Sequence, residues 1–258
     1  MGDETAAHMA QFWDARAREN ANYFVDNRLD YNAGDEQAFW REGEGDLTRM
    51  LEAVGAVIAA DEVVLDIGCG VGRLTRAIAA RAAHVHGIDV SAEMLARARA
   101  NLADSASVSF HLGDGTSLAP IADASIDAVV SLVVFQHIPD PAVTVGYVRE
   151  IGRVLRPGGW AAFQVSNDPQ VHTREHPRPP RLKVALGRAP KGQEDPAWRG
   201  SAVTLAALEA AIADGGMELR AKVGEGTQFL IVRTVRVTAE VNGGEKSGID
   251  VAGGPPPA

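Results

Sequence analysis

A glycine-rich segment, Gly68-Cys69-Gly70-Val71-Gly72, is the first feature of the sequence that could bind a ligand. It follows an apolar run typical of a buried strand and precedes a helical pattern. Glycines let the backbone approach a ligand closely, and the N-terminus of a helix offers unpaired N–H groups. The spacing departs from the Gly-x-Gly-x-x-Gly pattern of dinucleotide-binding loops, because Arg73 stands three residues after Gly70. The segment therefore predicts a ligand-binding turn that is not typical of dinucleotide sites.

Three aspartates stand at the ends of successive predicted strands. Asp66, directly before the glycine turn, can accept a hydrogen bond from an ammonium group and would repel a pyrophosphate. Asp89 comes about 20 residues after the turn, where a carboxylate can accept both hydroxyls of a ribose. Asp114 could accept from the amino group of an adenine, while an adjacent backbone N–H pairs with the ring. A structural ion pair could explain each aspartate alone, but the three together favour one ligand that carries an amine, a ribose and an adenine.

The elements that must position these residues alternate between strands and helices. Ser91 and Asp140 are typical N-caps, and Pro141 suits the first position of a helix. The predicted strands cover residues 62–67, 85–90, 108–112, 126–134, 160–165, 217–223 and 229–237. The predicted helices cover residues 6–22, 35–57, 73–82, 91–102, 140–155 and 205–213. This alternation predicts an α/β fold with a mostly parallel sheet covered on both faces, closed by an antiparallel pair of strands.

The chain divides into three predicted regions. Residues 1–58 form an N-terminal helical segment or lid, and residues 59–238 form the ligand-binding domain. Within that domain, the proline-rich residues 167–200 are expected to be a long loop or lid rather than a core element. Residues 239–258 are rich in glycine and proline and are expected to be disordered.

Together these motifs resemble the class I S-adenosylmethionine-dependent methyltransferases of the small-molecule type, with a methyltransferase type 11-like domain. The resemblance covers residues 62–165, with looser agreement to residue 237. The matching segments are Asp66-Ile67-Gly68-Cys69-Gly70-Val71-Gly72, Gly87-Ile88-Asp89-Val90-Ser91, Gly113-Asp114-Gly115, Asp127-Ala128-Val129-Val130-Ser131 and Arg153-Val154-Leu155-Arg156-Pro157-Gly158-Gly159. The resemblance implies a Rossmann-like seven-stranded sheet whose last strand is antiparallel. It also implies that S-adenosylmethionine lies across the carboxyl ends of the strands.

The resemblance also implies which residues contact the cofactor. Val90 and Met94 would flank the adenine and ribose, and Leu132 would pass near the methionine end. With the glycine turn and the aspartates, the expected cofactor residues are Asp66, Gly68, Cys69, Gly70, Asp89, Val90, Met94, Asp114, Gly115 and Leu132. Cys69 is expected to be a small packing residue rather than a nucleophile.

His137 is the candidate for a catalytic role. It follows the fourth predicted strand, where the methyl group should point in this fold. An imidazole, with an ordinary pKa of about 6.5, could remove a proton from an acceptor hydroxyl or amine. The alternative is that His137 packs against the cofactor or the lid, or bonds to the backbone. Many methyl transfers need little beyond alignment, because the sulfonium is already a strong electrophile.

The composition of the chain limits its expected partners and cellular compartment. The formal net charge is −9, so the chain as a whole would not attract nucleic acid. Cys69 is the only cysteine, which fits a reducing compartment. No secretory signal, membrane span or metal-ligand cluster is visible in the sequence, so a cytoplasmic protein without a metal is expected. Nothing in the sequence indicates an oligomeric state.

The expected function is methyl transfer to an oxygen, nitrogen or carbon atom of a small molecule. A local excess of positive charge in residues 167–200 suggests an anionic acceptor, although a solvated loop explains it too. The residues involved are Arg174, Arg178, Arg181, Lys183, Arg188 and Lys191, against the single acid Glu175. The alternatives are a non-catalytic S-adenosylmethionine-binding regulator and a protein or RNA methyltransferase. A nicotinamide dehydrogenase is disfavoured by the glycine spacing and by Asp66.

Overall fold

The computed structural model describes residues 2–32, 34–173, 183–184, 187 and 189–238. These residues form a seven-stranded sheet in the order β3-β2-β1-β4-β5-β7-β6. The strands are β1 Val63–Ile67, β2 His84–Asp89, β3 Val108–Leu112, β4 Ile126–Ser131, β5 Leu155–Val165, β6 Met217–Val223 and β7 Leu230–Arg236. Strands β1 to β5 pair in parallel, whereas β7 runs antiparallel to both β5 and β6. The predicted α/β class and its antiparallel last strand are confirmed.

Helices precede the sheet and cover both of its faces. They are α1 Gly2–Val25, α2 Glu36–Ala53, α3 Arg73–Ala79, α4 Ala92–Asn101, α5 Pro141–Val154, α6 Pro169–Thr173, α7 Pro196–Arg199 and α8 Leu205–Asp214. The predicted N-caps are confirmed: the Ser91 side chain accepts from the backbone N–H of Met94, and Asp140 accepts from that of Ala142. Each cap satisfies an N–H group that the first helical turn leaves unpaired.

The alternation of side chains along the strands supplies the two faces of the core. On one face, Val64 and Val130 pack in a cluster with Ile78 of α3 and residues of α2. On the other face, Leu65 and Val129 belong to a larger cluster that includes residues of α5 and α8. The sheet is therefore buried between two helical layers, and only its strand ends are free to form a site.

The fourth strand is shorter than predicted. It ends at Ser131 rather than at residue 134, because Val133 adopts a left-handed φ of +59° and a 3₁₀ turn follows at Phe135–His137. The Val133 N–H, released from the sheet, donates instead to Gln164 Oε1 at 2.8 Å. This long-range bond supports a backbone conformation that valine rarely adopts.

The proline-rich segment is not wholly a loop. Ala197 and Trp198 of α7 are buried, and the Trp198 ring packs edge-on against Phe24 of α1 at 5.6 Å between centroids. The expectation that residues 167–200 contain no core element was therefore wrong. Arg174, Glu175, Arg178, Arg181 and Arg188 lie outside the described residues, as do residues 239–258. No helix in the described part of the chain is both long and apolar enough to span a bilayer.

Two glycines on α5 give opposite expectations for the same substitution. A Cβ at Gly152 would lie 2.0 Å from the carbonyl oxygen of Gly215, whereas a Cβ at Gly146 would meet nothing within 4 Å. Gly152→Ala must push two backbones apart, so we expect the free energy of unfolding to fall by about 1–3 kcal/mol. Gly146→Ala should raise it by about 0.5–1 kcal/mol. Urea unfolding of both variants measures the difference, and an unchanged midpoint for Gly152→Ala would contradict this packing.

Candidate cofactor and acceptor site

A cavity opens at the carboxyl ends of β1, β2 and β4, between the sheet and α1. Every predicted cofactor residue except Asp114 lines it, and so does His137. The cavity is also lined by residues that the sequence analysis did not select for the site, namely Met9, Trp13, Phe24, Val25, Arg73 and Tyr147 among others. Several of these, Trp13 and Phe24 among them, come from α1, which lies within the N-terminal segment that the sequence predicts to be a helical lid.

The glycine turn has a backbone that side chains would obstruct. Gly68, Gly70 and Gly72 have φ values of +70°, +54° and +89°. A Cβ at Gly68 would lie 2.4 Å from a methyl carbon of Val134, so the turn needs glycine for space as well as for conformation. The backbone N–H groups of Gly68 and Cys69 both donate to the Ile88 carbonyl, which fixes the turn against β2.

Asp66 and Asp89 lie on either side of this turn. The buried carboxylate of Asp66 accepts from the Thr75 hydroxyl at 2.6 Å, and burial raises the pKa of Asp66 to about 7. The two Asp89 oxygens accept from the backbone N–H groups of Gly70 and Ser91, each at 2.8 Å. Burial also raises the pKa of Asp89, against the effect of these bonds. The predicted pair of carboxylates therefore meets at one site.

Asp114 is placed differently from the other two aspartates. It is exposed and does not line the cavity, and its oxygens accept from the backbone N–H groups of Thr116 and Ser117 and from the Ser117 hydroxyl at 2.6–2.7 Å. Its neighbour Gly115 does line the cavity. The structure thus brings together two of the three predicted aspartates, and the third is engaged in its own turn.

Helix α1 crosses the cavity from one end to the other. Ala6 packs where a Cβ of Gly115 would stand, and Val25 packs against Gly70. Between them, Asp14 accepts from the Ser91 hydroxyl at 2.6 Å and from the backbone N–H of Glu93 at 3.1 Å. A carboxylate at the N-terminus of α4 also interacts favourably with the helix dipole. No local sequence pattern pointed to Asp14.

A network of ion pairs joins α1, α2 and the residue that follows the glycine turn. Arg73 pairs with Asp46 of α2 and, at 3.3 Å, with Asp26 after α1. Arg28 contacts Asp26 at 2.7 Å and Asp46 at 2.6 Å. Because Arg73 and Asp26 are buried, losing one partner would leave an uncompensated charge. The network fixes the start of α3 beside the cavity.

His137 lies at the other end of the cavity, between two indoles. Its ring centroid is 5.5 Å from that of Trp13 and 5.3 Å from that of Trp198. Nδ1 is 2.7 Å from the Trp198 carbonyl oxygen, which can only accept, so Nδ1 carries the proton. Burial lowers the pKa of His137 to about 4. The imidazole is therefore neutral near pH 7, with the lone pair on Nε2.

Comparison with known proteins identifies the segment that holds the glycine turn and the aspartates. Residues 65–163 match the family model described as a methyltransferase domain. The segment is a methyltransferase domain. Its cofactor is S-adenosylmethionine, in agreement with the expectation from the sequence.

Named relatives share part of this methyltransferase domain. The chain is 38% identical over 109 residues to a ubiquinone biosynthesis O-methyltransferase of Aromatoleum aromaticum, which covers 42% of this chain and 45% of that protein. It is also 38% identical over 109 residues to the enzyme of that name from Thiobacillus denitrificans, covering 42% of this chain and 46% of that protein. The matches thus span a little under half of each relative.

Solved structures show the same fold over more of the chain. A phosphoethanolamine N-methyltransferase 1 of Haemonchus contortus, in complex with phosphoethanolamine and S-adenosylhomocysteine, has a TM-score of 0.66 at 15% identity. The superposition covers 94% of this chain and 51% of that one. An S-adenosylmethionine-dependent methyltransferase of Mesorhizobium loti has a TM-score of 0.54 at 21% identity, covering 74% of this chain and 96% of that one.

Cys69 is enclosed inside the glycine turn of the methyltransferase domain. Burial raises the pKa of its thiol well above the ordinary value, so the reactive thiolate is scarce. We expect iodoacetamide at pH 8 to leave the native protein unmodified and to alkylate Cys69 fully in 8 M urea, as measured by intact mass. The denatured sample is the control for reagent activity. Rapid alkylation of the native protein would mean that the turn opens readily.

Proposed function

We propose that this protein transfers the methyl group of S-adenosylmethionine to an oxygen, nitrogen or carbon atom of a small-molecule acceptor. One observation carries the proposal: a single cavity is lined at one end by the carboxylates of Asp66 and Asp89 and at the other by aromatic residues around His137. The named O-methyltransferase relatives support it over the segment that they share. Helix α1 crosses the cavity, which favours a small acceptor over a polymer.

We assign the cofactor contacts by their chemistry. In this proposal Asp66 accepts from the ammonium of the methionine part, and Asp89 accepts from the ribose hydroxyls in addition to its backbone partners. Val90, Met94 and Gly115 flank the adenine, and Cys69, Gly68, Gly70 and Leu132 complete the wall. Asp114 would contact the adenine amino group only if its bonds to Thr116 and Ser117 rearranged.

The aromatic pocket suits the displacement that the cofactor supports. When bound, S-adenosylmethionine supplies an electrophilic methyl group, and the acceptor must approach it opposite the sulfur. Trp13 and Phe24 line the pocket and keep it apolar. Both pack against Trp198 behind them, with ring centroids 6.3 Å and 5.6 Å away. Walls of this kind exclude water and restrict the acceptor to the aligned approach.

We propose that His137 orients the acceptor instead of acting as a strong base. A pKa near 4 leaves the Nε2 lone pair free of protons at neutral pH, but it makes the imidazole weakly basic. Nε2 would accept a hydrogen bond from the acceptor's hydroxyl or amine and direct its nucleophilic lone pair at the methyl group. The role of general base remains the alternative, and the two differ in the pH dependence of kcat.

The function is tested by incubating the full chain with methyl-labelled S-adenosylmethionine and a cell extract. We expect label in a small molecule identified by mass and none in protein or RNA. The control is Gly68→Ala, in which the new Cβ clashes with Val134 and should abolish labelling by disrupting the turn. Tight binding of S-adenosylhomocysteine without any labelled product would instead support a non-catalytic regulator.

The raised pKa of Asp66 predicts that cofactor binding depends on pH. Below about pH 7 the carboxyl group is protonated and cannot pair with an ammonium, so affinity is lost as pH falls. We expect the Kd of S-adenosylhomocysteine to increase up to about tenfold per pH unit between pH 7 and 5.5. Isothermal titration calorimetry at several pH values measures this change.

Two controls isolate the contribution of Asp66. Asp66→Asn should bind S-adenosylhomocysteine weakly at every pH, with a flat profile. The ligand 5′-methylthioadenosine keeps the adenine and ribose but lacks the ammonium, so the wild-type protein should bind it without the loss at low pH. If both ligands showed the same pH profile, Asp66 would not be the partner of the ammonium.

A further inference from the structure

A chain of hydrogen bonds connects the backbone at the end of the sheet with His137. Gln164, fully buried near the end of β5, has its amide orientation fixed by the backbone on both sides. The Val133 N–H can only donate, and it donates to Gln164 Oε1 at 2.8 Å. The Gln228 carbonyl can only accept, and Gln164 Nε2 donates to it at 2.6 Å. The oxygen and nitrogen of this amide therefore cannot be exchanged.

The orientation of the Gln164 amide determines the orientation of the Gln136 amide. The second N–H of Gln164 Nε2 donates to Gln136 Oε1 at 2.9 Å. The Gln136 amide nitrogen then faces His137 Nε2 at 3.2 Å, as a donor to the lone pair. Gln136 is also buried, so reversing either amide would place like groups against each other without water to replace the lost bonds.

On the opposite edge of the imidazole, Nδ1 is also held in the arrangement that leaves Nε2 without a proton. His137 Nδ1 donates to the Trp198 carbonyl at 2.7 Å. The next carbonyl of α7, that of Arg199, bonds to Nδ1 of His172, whose Nε2 is 2.7 Å from the Ser166 hydroxyl. His172 is the titratable neighbour whose charge would disfavour a second charge on His137. Both imidazoles are thus held by consecutive carbonyls of one short helix.

We propose that Gln164, acting through Gln136, is a positioning residue that keeps Nε2 of His137 free of a proton, while the Trp198 carbonyl holds the proton on Nδ1. A proton on Nε2 would oppose the Gln136 N–H group, and Gln136 cannot reverse while Gln164 is fixed by Val133 and Gln228. The 3.2 Å contact between Gln136 and His137 is the longest hydrogen bond of this series. A hydroxyl or amine of the methyl acceptor can therefore replace or share it as the donor to Nε2. The inference rests on the proposed function for its purpose, and it selects acceptors whose reacting atom carries a hydrogen, such as a hydroxyl or an amine.

The decisive variant reverses the donor and acceptor directions of the hydrogen bonds from Gln164 through Gln136 to His137. In Gln164→Glu the introduced carboxylate has no N–H to donate, so Gln136 should rotate, donate to it, and present Oε1 to His137. The Gln136 Oε1 atom, a hydrogen-bond acceptor, would then face Nε2 and favour a proton on it. Because Nδ1 still donates to the Trp198 carbonyl, the imidazole becomes doubly protonated. Gln37→Glu, on the exposed first turn of α2, makes the same chemical change away from the site and is the matched control.

The readout is ¹⁵N NMR of the His137 ring in the full chain at pH 7, in the presence of S-adenosylhomocysteine. The wild type and Gln37→Glu should show a protonated Nδ1 and an unprotonated Nε2, and Gln164→Glu should show both nitrogens protonated. If a methyl acceptor has been identified, Gln164→Glu should lower kcat roughly 10- to 100-fold and change the KM for S-adenosylmethionine less than twofold.

The proposal is overturned if the wild-type ring carries its proton on Nε2, or if Gln164→Glu folds and leaves the ring unchanged. If Gln164→Glu does not fold, Gln164→Leu removes the fixed donor, so Gln136 can reverse and the Nε2 signal should show partial protonation while Nδ1 stays bonded to the Trp198 carbonyl. A signal in Gln164→Leu identical to that of the wild type would also overturn it. The expected tautomer in a protein that produces no methylated product would leave this inference standing and refute the proposed function.

Discussion

Two carboxylates beside one glycine turn, Asp66 buried and Asp89 half-buried, are the constraint on which the site depends. Asp66 and Asp89 each lose hydration, and the charge of Asp89 further raises the pKa of Asp66. The protein offsets the cost at Asp89 with the backbone N–H groups of Gly70, Ser91 and Val90. At Asp66 it offers only the hydroxyl and the backbone N–H of Thr75. Asp66 is therefore the less compensated of the two. A cationic ligand group beside Asp66 would stabilise the charged form of its carboxyl group. The poorly compensated carboxylate can therefore contribute to cofactor affinity.

The donors to Asp89 also explain how the surrounding elements are assembled. Gly70 belongs to the turn and Ser91 caps α4, so one side chain joins β2, the turn and a helix. Asp14 of α1 then binds the hydroxyl of the same Ser91. Helix α1 is in this way attached to the residue that caps α4, and its position over the cavity follows from the geometry of the strand ends beneath it. Displacing α1 would weaken a helix cap as well as expose the cavity.

What the sequence could predict follows from the range of the interactions involved. The turn, the N-caps and the alternation of strands with helices depend on residues close in the chain, and these predictions are confirmed. The end of β4 depends on Gln164, 31 residues from Val133, and the burial of Trp198 depends on Phe24 in the first helix. No periodicity or capping rule reports contacts of that separation. Asp114 shows the converse problem, because a motif fixes its position in the chain but not which of several nearby donors its carboxylate will bind.

The division of charge along the cavity is compatible with the electrostatics of a sulfonium. The acids lie at the end proposed for the ammonium and ribose, while the other end holds a neutral imidazole between two indoles. A protonated His137 would repel a positively charged sulfur in a medium where such interactions are weakly screened. Burial and the fixed polarity of Gln136 both oppose that proton. The neutral ring is thus compatible with a cationic cofactor, although its low pKa makes it a weak base for proton transfer.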